Sequence, residues 1–419
     1  MRQSIFASAA SRAISTNPQI LSRRALLNAV IIAPFNSLIP QQPASASLEP
    51  LYRTSQTSAP RTFRFALDFD YLPPSQNGLK ETRRVQLPVE VRMPATREGA
   101  VAEVPVVIFS PGFLQSAASY GTVLTTLHDA GIAVVTYDKS FETLSALVDD
   151  VDSVVLLQRV AEKVAVGMGT LAIGPLFLAG HSRGGKLSVL AAAAFSAAST
   201  IPAGSPIWLP AEPVAVATGT DFQQQQEQEQ QLSFVSGIIL LDPADGSFEP
   251  QDPNQYPSAL AALQNHPSLA DVPVLIVGAR RGGDCVPRAK NYEAFFKACR
   301  GQCTRVTLQD AGHLQFLDQS DSLQQSICAV GRGLSNSRVA AVSGRLAAAF
   351  IHKVAGGGPV MATAGPLPPA ESGGSSKTGR RGVSCSSSNA LERLYEEQLR
   401  EAGVRYEVQV SGCSEGVKG

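Results

Sequence analysis

Charge is scarce in this chain. Asp, Glu, Lys and Arg supply 17% of the 419 residues, and 35 basic residues balance 35 acidic ones. With no net charge and no long basic stretch, there is no electrostatic footprint for a nucleic acid. Long apolar runs are missing as well. None reaches the roughly 18 uninterrupted residues of a membrane-spanning helix, which excludes a polytopic membrane protein. The six cysteines form no C-x-x-C pair and no Cys/His cluster, which excludes a zinc module. Histidine is rare too, with five residues in all. What the chain has in quantity is apolar side chains, 44% by count, enough for the core of one large domain with extras.

The first 24 residues carry four Arg, five Ser and no acidic residue, the composition of an organellar transit peptide. Arg23-Arg24, an apolar stretch from Ala25 to Ile39 and Ala44-Ser45-Ala46 follow, the order of a twin-arginine signal with its cleavage site. Together they predict import into a chloroplast, with removal of residues 1–46 and thylakoid association. Stroma and lumen both remain open.

From residue 47 to about 353 the pattern is that of one α/β domain. Two long alternating segments, Arg61–Tyr71 and Arg83–Met93, suit an antiparallel pair at a sheet edge. Six short apolar runs follow: Pro105–Ser110, Ile132–Tyr137, Pro175–Ala179, Gly237–Leu241, Pro273–Val277 and Arg305–Gln309. Helical periodicity separates most of them, at Ser116–Asp129, Glu142–Val166, Gly184–Ala198 and Lys290–Lys297. Strands alternating with helices predict a mainly parallel, eight-stranded sheet flanked by helices. A Gln-rich insertion interrupts it at 200–232. After a helix near Ser335–Lys353, residues 354–419 read as a Gly/Ser/Pro-rich linker and an unanchored tail containing one amphipathic helix, Asn389–Gly403.

The strongest local signal is Gly180-His181-Ser182-Arg183-Gly184, with a strand before it and a helix after it. In that context G-x-S-x-G is a nucleophile elbow, whose tight turn lifts the Ser182 hydroxyl above the sheet. Serine needs a base to take its proton, and in this fold the acid and the histidine follow the serine in the chain. His128 precedes Ser182, His181 is inside the elbow, His266 lies at the wrong edge of the sheet, and His352 sits in the late helix. His313, just past the last strand, remains. Two carboxylates compete to orient it: Asp242, which ends the strand after the elbow, and Asp284, which follows the next strand. The rigid mount beside Pro243 favours Asp242; Asp245 and Asp310 have weaker positions. The oxyanion donors expected are the N–H groups of Arg183 and of Phe113, in the Ser110-Pro111-Gly112-Phe113-Leu114 turn.

Gly180-His181-Ser182-Arg183-Gly184-Gly185-Lys186 resembles the lipase motif of the plant and algal chlorophyllases. The resemblance continues through Leu241-Asp242-Pro243-Ala244-Asp245-Gly246, through Cys285-Val286-Pro287 with Asn291, Phe295, Phe296 and Cys299, and through Asp310-Ala311-Gly312-His313 with Leu317-Asp318. It covers roughly residues 105–330. It implies an α/β-hydrolase fold with the triad on Ser182, Asp242 and His313, and cleavage of chlorophyll to chlorophyllide and phytol by a serine carboxyl-ester hydrolase. It implies no cofactor and no protein-bound metal, the magnesium belonging to the substrate. Partners implied are chlorophyll, water and a peripheral contact with the thylakoid membrane or pigment-proteins. Two departures stand out. The Ser-Pro-Gly-Phe turn replaces the usual His-Gly-Phe and is closer to bacterial esterases, and Gln315 replaces an acidic residue. These favour a plastid lipase or general esterase as the second reading, with a non-catalytic pigment binder as the third. An oxidising lumen would allow Cys303–Cys328 or Cys285–Cys299 disulfides.

Overall fold

In the computed structural model, the described residues are 61–71, 83–95, 103–138, 149–167, 173–198, 235–246, 252–281, 286–320, 325, 328, 330–356 and 389–411. The expected signal segment, the Gln-rich insertion, the linker and Asp284 lie outside them. Among the described residues are nine strands, β1 (Arg61–Tyr71), β2 (Arg83–Met93), β3 (Val104–Ser110), β4 (Ala133–Tyr137), β5 (Ile173–His181), β6 (Val235–Leu241), β7 (Val274–Arg281), β8 (Cys303–Gly312) and β9 (Tyr406–Val410). They form one sheet in the order β1-β2-β4-β3-β5-β6-β7-β8-β9. The run from β4 to β8 is parallel, the β1–β2 pair is antiparallel at one edge, and β9 is antiparallel at the other.

Among the described residues, seven α-helices flank the sheet: α1 (Gly121–Asp129), α2 (Asp150–Gly167), α3 (Arg183–Ala198), α4 (Ala259–Asn265), α5 (Tyr292–Ala298), α6 (Asn336–Val354) and α7 (Asn389–Glu401). The two-residue period of the strands sorts their side chains between two cores. Val106, Ile108, Ile238, Leu240, Val274 and Ile276 face α2 to α5. Their neighbours Val107, Phe109, Ile239, Leu241, Leu275 and Val277 face α1, α6 and α7. Both faces are covered, which is why these strands read as continuous apolar runs rather than alternating ones. This is an α/β-hydrolase arrangement.

Two expectations need correction. The sheet has nine strands, not eight, and the C-terminal segment is docked rather than unanchored. Tyr395, Leu399 and Ala402 are fully buried against the α1/α6 core. From there the chain turns back and pairs β9 with β8, from Leu308↔Tyr406 to Thr304↔Val410. A five-residue strand after a Gly/Ser/Pro-rich stretch carries almost no periodicity of its own. Its pairing is set by the open edge of β8 and by the apolar stripe of α7.

The disulfide expectation is also corrected. Cys299, the C-cap of α5, is bonded to Cys303, the first residue of β8, across four residues with Cα atoms 6.4 Å apart. Each of the two expected pairs needed one of these sulfurs, so neither forms. The turn from α5 into β8 brings the nearer cysteine within the span of a disulfide. Cys328 is also disulfide-bonded, and no free cysteine remains among the described residues.

Candidate active site

The elbow is a steric construction. Ser182 sits at φ 56°, in the left-handed region that a non-glycine residue occupies only when its surroundings enforce it. A Cβ on Gly180 would collide with the backbone of Gly184, and one on Gly184 would collide with the carbonyl of Ser110. The two glycines let α3 start directly against the ends of β3 and β5. Ser182 N–H donates to the Leu241 carbonyl (3.0 Å), and the Ser182 carbonyl accepts from Ala244 (3.2 Å) and Gly185 (3.1 Å). The hydroxyl therefore stands at the N-terminus of a 16-residue helix, where the peptide dipoles favour negative charge.

Ser182, His313 and Asp242 come together from three strand ends. His313 Nε2 is 3.0 Å from Ser182 Oγ, and His313 Nδ1 is 2.7 Å from Asp242 Oδ2. Asp242 is itself at φ 40° and is held twice: its N–H donates to the Val277 carbonyl (2.7 Å), and its Oδ1 accepts from Ala279 N–H (2.9 Å). His313 and Asp242 are both buried.

The other histidines are engaged elsewhere. His128 Nε2 lies 3.1 Å from the Met93 carbonyl, His266 Nδ1 lies 2.7 Å from Ser268 Oγ, and His352 Nε2 lies 2.8 Å from the Ala130 carbonyl. Of the weaker acids, Asp245 caps α4, accepting from Ser258 Oγ and Ala259 N–H (both 2.6 Å), and burial raises its carboxyl above the ordinary range. Asp310 is paired with Arg405 and lies 3.9 Å from Arg281. Neither reaches His313.

Of the expected oxyanion residues, Arg183 follows the serine directly in the chain. Arg183 is the first residue of α3, and its guanidinium lies 5.8 Å above the Phe113 ring. Phe113 and Leu114 are exposed, Leu114 at φ 57°. The preceding Gly112 is closely packed, since a Cβ there would come within 3.1 Å of both His181 Nδ1 and Tyr120 Oη. Phe316, three residues past His313, is fully buried, with its ring 5.4 Å from that of His181.

Several supporting groups escaped the sequence reading. Lys186 and Asp150 are both about 2% exposed and form a buried ion pair (Nζ–Oδ2 2.6 Å), while Arg183 Nε holds the other carboxylate oxygen at 2.7 Å. The motif's lysine therefore fixes the start of α3. Gln315 clamps the His313 turn: its Oε1 accepts from Gly312 (2.8 Å) and Gly331 (3.1 Å), and its Nε2 donates to the Leu334 carbonyl (2.5 Å). A carboxylate could not make that last bond, which gives the Gln in place of an acid a physical sense. Asp318 accepts from Thr122 N–H (3.0 Å) and ties this turn to α1. Nothing in the spacing of single Gln, Tyr or Asp residues announces such partners.

Residues 79–358, more than half of the chain, match the chlorophyllase family. The chain belongs to that family. A stretch of 93 residues is 33% identical to chlorophyllase-2 of Arabidopsis thaliana, covering 20% of this chain and 28% of that protein. The matched stretch is thus less than a third of that relative's length. Among solved structures, the chain is similar to a ferulic acid esterase from Streptomyces cinnamoneus, at 17% identity and a TM-score of 0.44, covering 76% of this chain and 96% of that one. It is also similar to the esterase Est2 of Thermogutta terrifontis, at 17% identity and a TM-score of 0.43, covering 70% and 95%.

Proposed function

We propose that this member of the chlorophyllase family is a serine carboxyl-ester hydrolase acting through an acyl-enzyme, with the phytyl ester of chlorophyll as its substrate. The observation that carries the reaction type is the hydrogen-bonded line Ser182–His313–Asp242, with the serine on a strained elbow at a helix N-terminus. Family membership supports the substrate.

Ser182 Oγ attacks the ester carbonyl carbon, and its proton passes to His313 Nε2. Asp242 accepts from Nδ1–H throughout and stabilises the imidazolium without taking its proton. The carbonyl oxygen becomes an oxyanion facing the N–H groups of Arg183 and Phe113; one such donor is worth about 10²–10³ in kcat. As the tetrahedral species collapses, the carbon–alkoxy bond breaks and the departing alcohol takes the proton from His313. A water then repeats the sequence on the acyl-enzyme: His313 takes its proton, the acid leaves, and Ser182 regains its hydrogen. No step requires a metal or an organic cofactor.

The exposed Phe113 and Leu114, with Phe113 under the Arg183 guanidinium, suit an apolar ester presented at a thylakoid or pigment-protein surface. Import into the chloroplast belongs to the same proposal, and a fluorescent fusion of residues 1–46 tests it by colocalisation with chlorophyll. The Ser110-Pro111-Gly112-Phe113 turn keeps a second reading in play, an esterase for acyl lipids with the same triad. Incubating the protein and its Ser182→Ala variant with chlorophyll a in detergent, then separating the pigments, tests the first. Chlorophyllide from the unmodified protein alone supports it. Release of fatty acid from galactolipid without chlorophyllide transfers the assignment to the second.

A further inference from the structure

His181, the residue before the nucleophile, plays no part in the steps above, yet it is 1% exposed and polar. Its Nδ1 lies 2.9 Å from the Tyr120 hydroxyl, and its Nε2 lies 2.9 Å from the main-chain carbonyl of His313. The same Tyr120 hydroxyl lies 3.0 Å from Gly112 N. Four groups therefore form one buried chain from the turn that carries Phe113 to the backbone of His313.

Proton counting fixes its direction. Gly112 N–H can only donate, so Tyr120 Oη accepts from it. The single Tyr120 hydroxyl proton then goes to His181 Nδ1, which must offer its lone pair. The His313 carbonyl can only accept, so His181 Nε2 carries the proton. Every donor and acceptor is used once, in one tautomer. The other neutral tautomer would set the Nε2 lone pair against the carbonyl lone pairs. An imidazolium would bring a second N–H against the Tyr120 oxygen and displace its hydroxyl proton from its acceptor. A buried polar group without a partner is costly, which makes the arrangement close to all-or-none. Packing reinforces it: the His181 ring lies 4.7 Å from that of His313, and Tyr120 lies 4.8 Å from the Phe109 ring.

Resting on the proposed role of Ser182 and His313, we propose that His181, as its neutral Nε2–H tautomer, is a positioning residue that locks the Gly112–Phe113 turn and the His313 main chain into one unit, holding base and oxyanion site at a fixed separation. The neutral ring also spares His313 a second cation at van der Waals range when it becomes an imidazolium. Burial and the nearby His313 act in the same direction, holding His181 well below the ordinary 6.5.

The test compares His181→Phe, which keeps a ring and removes both hydrogen bonds, with Tyr120→Phe and the double variant. Displacements of about 1 Å between reacting groups cost up to about 10²-fold. Each single variant should therefore lose on the order of 10- to 100-fold in kcat on 4-nitrophenyl butyrate, with KM within about twofold and the rate of fluorophosphonate labelling falling in parallel. The double variant should be no worse than the poorer single one, because one chain is broken once. In the unmodified protein with ¹⁵N-labelled histidine, NMR at pH 7 should show His181 protonated on Nε2 and bare on Nδ1. Folded His181→Phe at unmodified kcat, additive losses, or a proton on Nδ1 would each overturn the proposal. Should His181→Phe not fold, Tyr120→Phe and the tautomer decide. Failure of the underlying reading looks different: the unmodified protein would not be labelled at all, or Ser182→Ala would still be labelled, and the positioning role would fall with it.

Discussion

Asp242 presents its two carboxylate oxygens to two different donors, one to His313 Nδ1 at 2.7 Å and the other to Ala279 N–H at 2.9 Å. The second bond decides what an amide would do in its place. In Asp242→Asn the carbonyl oxygen must stay on Ala279 N–H, which turns the NH₂ toward His313. His313 Nδ1 must then offer a lone pair, Nε2 becomes the protonated nitrogen, and Ser182 loses its base. A loss of about 10³–10⁴ in kcat is expected, with the fold intact, measured on a nitrophenyl ester and on chlorophyll a. A greater loss in Asp284→Asn than in Asp242→Asn would transfer the acid's role to Asp284.

Gly184→Ala tests the elbow itself. Its Cβ would overlap the Ser110 carbonyl, and backbone at a sheet–helix junction has no room to yield. The variant is expected to be poorly folded or inactive, whereas Gly131→Ala should stay active. Gly131 has φ 81° but nothing within 4 Å of a Cβ, so its cost is confined to backbone strain of about 1–2 kcal/mol. Thermal melts and esterase assays of both variants separate close approach from conformational strain.

The contrast between elbow and tail shows what a sequence reveals here. β1 and β2 were readable to the residue, because alternation over eleven positions repeats one signal many times. Ser182 and His313 were readable because the motif is local and histidines are few enough to eliminate. By chain position alone Asp242 was one of two acids, since the choice depends on which strand end faces His313, and the resemblance to the chlorophyllases was what singled it out. The partners of His181 and the Lys186–Asp150 pair were not readable, because each joins residues tens to more than a hundred positions apart with no periodicity between them, and the Gln315 clamp was not because its carbonyl and amide partners carry no side-chain signal. β9 failed for a related reason: five residues take their strand identity from the edge they meet.

That edge yields a further expectation. Gln309 N–H donates to the Arg405 carbonyl (2.9 Å), the Arg405 guanidinium pairs with Asp310, and Arg338 Nε donates to the Ala402 carbonyl (2.6 Å). The C-terminal segment thus braces the strand that leads into His313, although it lies beyond the matched family region. Arg405→Gln, removing the exposed partner of the buried Asp310 carboxylate, should cost on the order of two- to fivefold in kcat. Leu399→Ala, emptying a fully buried site, should cost about 2–5 kcal/mol by urea denaturation. If removing residues 389–419 left both melting temperature and kcat unchanged, the segment would be no brace.

Acid sensitivity follows from His181. Unfolded, it titrates near the ordinary 6.5; folded, burial and His313 keep it neutral well below that. Between the two values the unfolded chain holds a proton that the folded one does not, so acidification favours unfolding. This contribution to stability is complete above about pH 6.5 and is lost as the pH falls beneath it, at a slope approaching about 1.4 kcal/mol per pH unit. Half-buried acids run the other way: Asp152, pushed up to about 6 by partial burial and the neighbouring Asp149, takes up its proton first in the folded state and offsets part of the loss. The difference between the unmodified protein and His181→Phe removes that background, since the acids are common to both. Urea midpoints at pH 7.5 and 5.5 should show the unmodified protein losing about 1.4 kcal/mol relative to the variant. Parallel pH profiles for the two proteins would mean that His181 is protonated in the folded state, in contradiction with its single donor at Nε2.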